Sequence, residues 1–144
     1  MINNSFLRLT MLYGVDLKME AKLMRSKFQL YLKGCDEAIE LYKKAFDATV
    51  DAIYRDPESN LILHAEIKVF GQCVAFMERD TESVEGNTMQ LSFEFENSNE
   101  EIIKMAYEVL KDGAKIELPL GSCEWSSCIF GLIDKFGVNW LLYA

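Results

Sequence analysis

The chain contains a single histidine, His64, which lies two residues before a glutamate, Glu66. Side chains at positions i and i+2 of a β-strand project from the same face, so a strand here would hold the two groups side by side. The ordinary pKa of histidine suits proton transfer, and a neighbouring carboxylate would assist a general base. The same pair offers two ligands for a metal ion. A neutral, hydrogen-bonded pocket histidine is the third interpretation.

The segment around His64 has the pattern of a hairpin within a larger unit. Residues 60–70 (NLILHAEIKVF) and 72–79 (QCVAFMER) predict two strands that turn at Phe70-Gly71. Residues 27–33 alternate between apolar and polar side chains, which predicts a half-buried strand, and residues 49–54 predict another short strand.

An amphipathic helix is predicted between the first two strands, with Asp36 as its N-terminal cap. Its apolar stripe has helical spacing and comprises Ala38, Ile39, Leu41, Tyr42, Ala45 and Phe46. The order of the elements is therefore βαβββ.

A second segment with the same order follows a polar linker, residues 80–87. Its first strand (TMQLSFEFE) leads into a helix in which Ser98 and Glu101 have capping-box spacing, and Gly113 suits the left-handed position after the helix. The helix sequence EIIKMAYEVL aligns with EAIELYKKAF of the first segment. We therefore predict two copies of one βαβββ unit.

The last fifteen residues (FGLIDKFGVNWLLYA) predict a strand, a tight turn at 134–137 and a final strand that contains Leu141. With 144 residues, of which 50% are apolar, the chain has enough material for one domain with a genuine core. We expect residues 1–24 to be an N-terminal extension and residues 25–144 to form a single domain, with modules at about 25–79 and 88–144.

The charge of the chain excludes some partners. Its net charge is −8, with 15 Lys and Arg against 23 Asp and Glu, which disfavours nucleic acid and anionic membrane surfaces. No apolar run approaches membrane-spanning length and no export segment is evident, so we expect a cytoplasmic protein with free thiols. Cys123 and Cys128 are five residues apart and would point to opposite faces of one strand, which disfavours a cysteine zinc site.

Four separated blocks resemble the PhnB-like branch of the vicinal oxygen chelate superfamily, which includes glyoxalases, bleomycin-resistance proteins and dioxygenases. The blocks are YLKGCDEAIELYKKAF, LHAEIKV, ELPLGSCEWS and FGLIDKFGVNW, and the resemblance covers about residues 27–143. It implies an α+β fold in which two tandem βαβββ modules form curved mixed sheets, with the helices on the convex side. It also implies a ligand-binding cup on the opposite side and a homodimer.

In such a fold, strand alternation assigns side chains to the cup or to the helix side. The resemblance places polar groups in the cup, and we single out Tyr31, His64, Glu66, Gln90 and Trp125 as pocket residues, with Glu94, Tyr143, Cys73 and Met77 as further cup residues. Phe28, Leu30, Leu32 and Trp140 are expected on the helix side. On the strand of His64, we expect Leu61, Leu63, Ala65 and Ile67 on the helix side and Ile62 and Lys68 in the cup.

The positions that carry metal ligands in the superfamily correspond to Lys27, Ala75, Gln90 and Leu141. Of these only Gln90 could bind a metal at neutral pH, because Ala and Leu have no donor atom and Lys is a cation. We therefore predict no metal at the usual site. A relocated divalent metal site of His64, Glu66 and Glu94 is the alternative.

Three functional hypotheses follow. The first is a metal-free homodimer that binds a small organic molecule in its cups. The second is a metal-dependent lyase, isomerase or dioxygenase with relocated ligands. The third is an interaction module whose cup is filled by its own side chains.

Overall fold

The computed structural model describes residues 25–84, 86–96 and 99–144. The elements of the first module are β1 (Phe28–Leu32), α1 (Cys35–Phe46), β2 (Thr49–Arg55), β3 (Ile62–Val69) and β4 (Gln72–Glu78). Those of the second are β5 (Leu91–Glu94), α2 (Glu100–Leu110), β6 (Lys115–Cys123), β7 (Ser126–Ile133) and β8 (Asn139–Tyr143). The predicted extension, residues 1–24, and the predicted cap Ser98 lie outside the described residues.

The two sheets repeat one topology. The strand order is β1-β4-β3-β2 in the first sheet and β5-β8-β7-β6 in the second. β1 pairs with β4 and β5 with β8 in parallel, whereas the other neighbours are antiparallel. This arrangement confirms the predicted α+β fold with two βαβββ modules. No helix within the described residues is long and apolar enough to cross a membrane.

The helix-bearing sides of the two modules share one core. The apolar stripe of α1 is buried as predicted, and its Tyr42 and Phe46 rings lie 5.2 and 4.8 Å from the ring of Trp140 on β8. Phe70, in the turn between β3 and β4, packs against Phe93 and Phe95 of the second module. We call the opposite side of each sheet, which faces away from this core, its open face.

A buried carboxylate links the two modules inside this core. Asp134 is 4% exposed, and its Oδ2 accepts hydrogen bonds from the Tyr42 hydroxyl (2.6 Å) and the Trp140 indole nitrogen (2.9 Å). Its Oδ1 accepts the backbone N–H groups of Phe136 and Val138, which fixes the tight turn predicted at 134–137. Burial, followed by the charge of Asp134, raises the pKa of Tyr42 well above its ordinary value, so this hydroxyl remains a donor.

The N-terminus of α1 is capped by a distant residue. Gly34 occupies the N-cap with φ 81°, and Glu78 at the end of β4 accepts the N–H groups of Gly34 (2.6 Å) and Cys35 (3.0 Å). Asp36 lies inside the first turn and binds Arg55 instead. The prediction of Asp36 as the cap was therefore wrong, because β4 delivers a carboxylate to the site across 44 residues.

A bulge on β3 overturns part of the predicted alternation. Tyr54 pairs with His64 and Arg55 with Ile62, so the ladder passes over Leu63. An inserted residue shifts side chains before it to the other face. Ile62 is accordingly 1% exposed in the core, whereas Leu63 is 49% exposed. The assignment of Ile62 to the cup and of Leu61 and Leu63 to the helix side was wrong; after the bulge, Ala65 and Ile67 are buried in the core as predicted.

The cysteines are free thiols within the described residues, and Cys35, Cys73 and Cys128 are buried. Cys123 and Cys128 lie on the neighbouring strands β6 and β7, with a turn between them, so the prediction that treated them as residues of one strand was wrong. Cys123 is exposed while Cys128 is buried. The two thiols therefore lie in different environments.

Candidate functional site

Glu66 lies at the centre of the open face of the first module. The strand ladder places it between Ala75 of β4 and Ala52 of β2, and Gln29 of β1 comes next to Ala75. The neighbouring row along the strands contains Tyr31, Met77, His64 and Tyr54. Because the alanines on either side are too short to reach the Glu66 carboxylate, longer side chains from outside the row approach it.

Two cations bind the Glu66 carboxylate. The Arg25 guanidinium donates from one nitrogen to both oxygens (2.9 and 3.0 Å), and Lys27 Nζ donates to Oε1 at 2.5 Å. The Cys73 thiol also approaches Oε2, at 3.6 Å. The Glu66 side chain is 9% exposed, whereas the side chains of Arg25 and Lys27 are 56% and 32% exposed. Glu66 is thus covered by its own partners and not by the packed core, and solvent stays close to it.

These contacts fix the protonation state of Glu66. Hydrogen bonds from Lys27 and then His64, assisted by the charge of Arg25, lower the pKa of Glu66 to about 2 against the opposing effect of burial. Burial and the neighbouring Glu66 charge raise the pKa of the Cys73 thiol. At neutral pH the site therefore contains a carboxylate, two cations and an undissociated thiol.

His64 is joined to the same carboxylate. Its Nε2 lies 3.0 Å from Glu66 Oε1, and its ring centroid is 6.3 Å from that of Tyr54. Since an ionised carboxylate can only accept, Nε2 must carry the hydrogen of this bond. In neutral His64 the other ring nitrogen, Nδ1, is then an acceptor. The structure thus brings together His64 and Glu66, as the sequence predicted for one strand face.

The aromatic part of this face is accessible. Tyr31 and Tyr54 are exposed, and Met77 between them is also exposed. The Arg79 guanidinium lies 5.8 Å from the centre of the Tyr31 ring and donates to the Tyr31 carbonyl. The row beside Glu66 therefore presents apolar surface directly next to a charged cluster.

The open face of the second module has different chemistry. Gln90 Nε2 donates to Asn139 Oδ1 at 3.0 Å, and the Tyr143 hydroxyl donates to Glu94 at 3.2 Å. Trp125, in the turn between β6 and β7, is 66% exposed and packs edge-on against Tyr143 at 5.4 Å. Gln90 and Trp125, which were predicted as pocket residues together with His64 and Glu66, thus belong to a separate sheet.

The two open faces lie on the outer sides of the shared core. In the part of the chain that the structure describes, every side-chain hydrogen bond of Glu66, Gln90 and Glu94 stays within its own module. One chain therefore presents two half-sites, and the five predicted pocket residues divide between them.

The residues at the superfamily's ligand positions do not fit a metal ion. Ala75 and Leu141 offer no donor atom, and Lys27 is held as a cation against Glu66. Glu94, the third member of the relocated site, lies on the second sheet and binds Tyr143. Across residues 25–84, 86–96 and 99–144, no group of three or more His, Cys, Asp or Glu is placed to hold a metal ion.

A cleft of about 740 Å³ lies elsewhere, at the C-terminal end of α1. Lys43, Lys44, Phe46, Phe70 and Met105 are among its lining residues. It contains none of the five predicted pocket residues, and its walls supply lysine and apolar side chains together with Asp47 and Thr49, but no histidine. The arrangement of polar groups therefore places the candidate site on the open faces.

Arg25 was missed by the sequence analysis. It lies before the first predicted strand, and nothing in its neighbourhood indicates a partner 41 residues away. Lys27 was considered only as a position that had lost a metal ligand. Arg25 and Lys27 reach Glu66 because the start of β1 lies close to β4 and β3 in the sheet. Local sequence does not encode this placement.

Comparison with known proteins agrees with this geometry. The model of the Glyoxalase/Bleomycin resistance protein/Dioxygenase superfamily matches residues 26–142, which is most of the chain. The chain belongs to this superfamily. This membership confirms the sequence resemblance at the superfamily level. A comparison with curated proteins found no match.

Several solved structures share the fold of this chain. Protein PA1353 from Pseudomonas aeruginosa superposes with a TM-score of 0.71 at 20% identity, covering 83% of this chain and 96% of that one. The PhnB protein from Bacillus cereus gives 0.65 at 24% identity, covering 83% and 98%. A mutant of the fosfomycin resistance protein FosX from Listeria monocytogenes, in complex with Mn(II) and 1S,2S-dihydroxypropylphosphonic acid, gives 0.64 at 16% identity, covering 84% and 91%.

Proposed function

We propose that this superfamily member binds a small organic molecule on its open faces without a metal ion, as a cytoplasmic homodimer of the PhnB-like branch. The observation that carries the proposal is the engagement of Glu66 by Arg25 and Lys27. A carboxylate that is held by two cations has its lone pairs occupied, so a metal would have to displace both of them. The similarity to the B. cereus PhnB protein and the four sequence blocks support the branch.

The homodimer is supported by the position of the open faces. Each lies away from the core and exposes large apolar side chains, among them Tyr31, Met77 and Trp125. Clusters of exposed apolar groups of this kind mark ligand or protein contact surfaces. In the homodimer, the open face of the first module of one chain would lie against the open face of the second module of the other chain. A ligand would then be enclosed between Tyr31, His64 and Glu66 of one chain and Gln90 and Trp125 of the other.

A second candidate function is metal-free proton transfer by His64. The bond to Glu66 orients the imidazole and leaves Nδ1 as the acceptor, which is the arrangement of a general base with an orienting carboxylate. The metal-dependent lyase, isomerase or dioxygenase has no comparable support, since the residues present do not fit the ion.

Native mass spectrometry of protein purified without a metal-affinity resin tests the proposal in a single spectrum. We expect a mass of two chains, with no stoichiometric increment from Zn, Mn, Ni or Fe; a co-purified organic ligand would appear as a further increment. A metal increment on every dimer would contradict the metal-free proposal. A monomer mass at micromolar concentration would contradict the dimer.

For the second candidate, the variant His64→Gln retains a hydrogen-bond donor for Glu66 but removes the titratable acceptor. If His64 acts as a base, turnover of any identified substrate falls by at least about a hundredfold while binding persists. Equal turnover in the variant and the wild type would contradict catalysis by His64.

A further inference from the structure

The charge on the open face of the first module is opposite to that of the chain. Arg25 and Lys27 share the single carboxylate of Glu66, and two cations with one anion leave one net positive charge. The neighbouring Lys68 is 3.5 Å from Asp51 and is thereby neutralised. A chain with a net charge of −8 thus carries one unneutralised positive charge on this face.

The cations also have donors to spare. One guanidinium nitrogen of Arg25 makes both contacts to Glu66, and within residues 25–84, 86–96 and 99–144 the other guanidinium nitrogens make no side-chain hydrogen bond to Glu66. Lys27 Nζ donates one of its three hydrogens to Oε1. Because Glu66 holds both side chains in place, an incoming anion would meet donors that are already positioned, and it would lose less conformational entropy on binding.

The apolar row lies at a defined distance from this charge. Tyr31, Met77 and Tyr54 occupy the row next to that of Glu66, and two residues along a strand span about 7 Å. A molecule that bridges the two rows would have an anionic group at one end and a flat or apolar body at the other. A cationic head would be disfavoured by the net positive charge of Arg25, Lys27 and Glu66.

We propose that Arg25 and Lys27 form an anion subsite, held in place by Glu66, that selects small organic acids with an apolar body of about one ring. This inference rests on the proposed function, since it names the ligand class for the same face. The shared chemistry is a carboxylate or a phosphonate. The apolar body would pack against Tyr31, Met77 and Tyr54.

The test uses the full-length dimer and three probes of matched size: 3-phenylpropionate, 3-phenylpropylphosphonate and the neutral 3-phenylpropanamide. Dissociation constants are measured by NMR titration of the backbone amides, which also shows where each probe binds. We expect at least one of the anions to bind at least about tenfold more tightly than the amide, the difference that one charge-assisted hydrogen bond provides. The stronger of the two anions identifies the anionic group.

Variants assign this preference to the subsite. Lys27→Met should lower the affinity for the anions by about tenfold and leave the affinity for the amide unchanged, whereas Lys27→Arg should retain the preference. Lys111→Met, at the exposed C-cap of α2, is the matched control and should retain it as well. The backbone N–H spectrum of each variant, compared with that of the wild type, shows whether the variant is folded.

Two results would overturn the anion subsite, and they have different consequences for the proposed function. Equal affinity for the amide and the anions would contradict the anion subsite and leave small-molecule binding intact. Failure of all three probes to perturb either open face would count against the proposed function and, with it, against the subsite.

Discussion

Two buried carboxylates of this protein, Asp134 and Glu66, have similar exposure but different surroundings. Asp134 accepts four hydrogen bonds from neutral donors, two of them from side chains of the shared core. Glu66 is bound by two cations and a histidine on an open face. In each case the oxygens are satisfied, but only the partners of Glu66 reach solvent.

Under the proposed function, this difference separates a structural carboxylate, Asp134, from Glu66, a carboxylate that organises a ligand site. The donors around Asp134 belong to the core and to the turn of the second module, so they are spent on holding the modules together. The donors around Glu66 exceed what one carboxylate needs, and they are accessible. An accessible network that carries more charge than its partner neutralises can bind a further group. A core network whose neutral donors are all hydrogen-bonded cannot.

The largest loss of stability is expected for Asp134→Asn. The amide oxygen can still accept from Phe136 and Val138, but the amide nitrogen would face the Trp140 N–H at the position of Oδ2, so a buried donor loses its acceptor. We expect a loss of about 2–4 kcal/mol in the free energy of unfolding, measured by urea denaturation. Asp112→Asn, an exposed position, is the control and should change little.

A loss similar to that of the control would show that the Asp134 network contributes little to the union of the modules. The contrast with Glu66 would then rest on the open face alone.

A smaller loss of stability is expected at Glu78, the carboxylate that caps α1. Glu78→Gln retains one acceptor for Gly34 or Cys35 and loses the second, together with the negative charge at the N-terminus of α1. We expect a loss of about 1 kcal/mol, typical of a helix cap. The same denaturation experiment with Glu108→Gln, on exposed α2 surface, provides the control; equal stability of the two variants would exclude a capping role for Glu78.

The effect of Glu66→Gln is expected to depend on pH, because Arg25 and Lys27 bind the Glu66 carboxylate as an ion pair only while it is ionised. The pH dependence is the distinctive signature. The pKa of Glu66 in the folded protein is about 2, below its ordinary value of 4.5, so its stabilisation is complete above pH 4.5 and is lost as pH falls towards 2.

The measurement is the difference in stability between the wild type and Glu66→Gln from pH 5 to pH 2. It should shrink as the pH falls through this window. A constant difference would mean that Glu66 has an ordinary pKa in the folded protein.

Local pattern was enough to predict the repeated module. The alternation of residues 29–32, most of the apolar stripe of α1 and the glycine turns each depend on residues close in sequence, and they agree with the structure. Phe28, which was predicted on the helix side, is 43% exposed. The burial of Trp140 also followed from strand parity. These features result from periods of two and 3.6 residues, which sequence displays directly.

The features that were missed depend on distant partners. The bulge at Leu63 is defined by the pairing of β3 with β2, the cap of α1 by Glu78 and the charge cluster by Arg25. No local pattern records which side chain arrives from another strand. The division of the predicted pocket residues between two half-sites likewise follows from how the helices pack the two modules back to back.

The central claim is that the open faces bind an organic molecule without a metal. Its most direct test is a crystal structure of untreated protein, with anomalous data collected above the absorption edges of Mn, Fe, Ni and Zn. The account predicts no anomalous peak near Glu66, Gln90 or Glu94, and any density between the half-sites should be that of an organic molecule beside Arg25 and Lys27. An anomalous peak bonded to any of those side chains would contradict it.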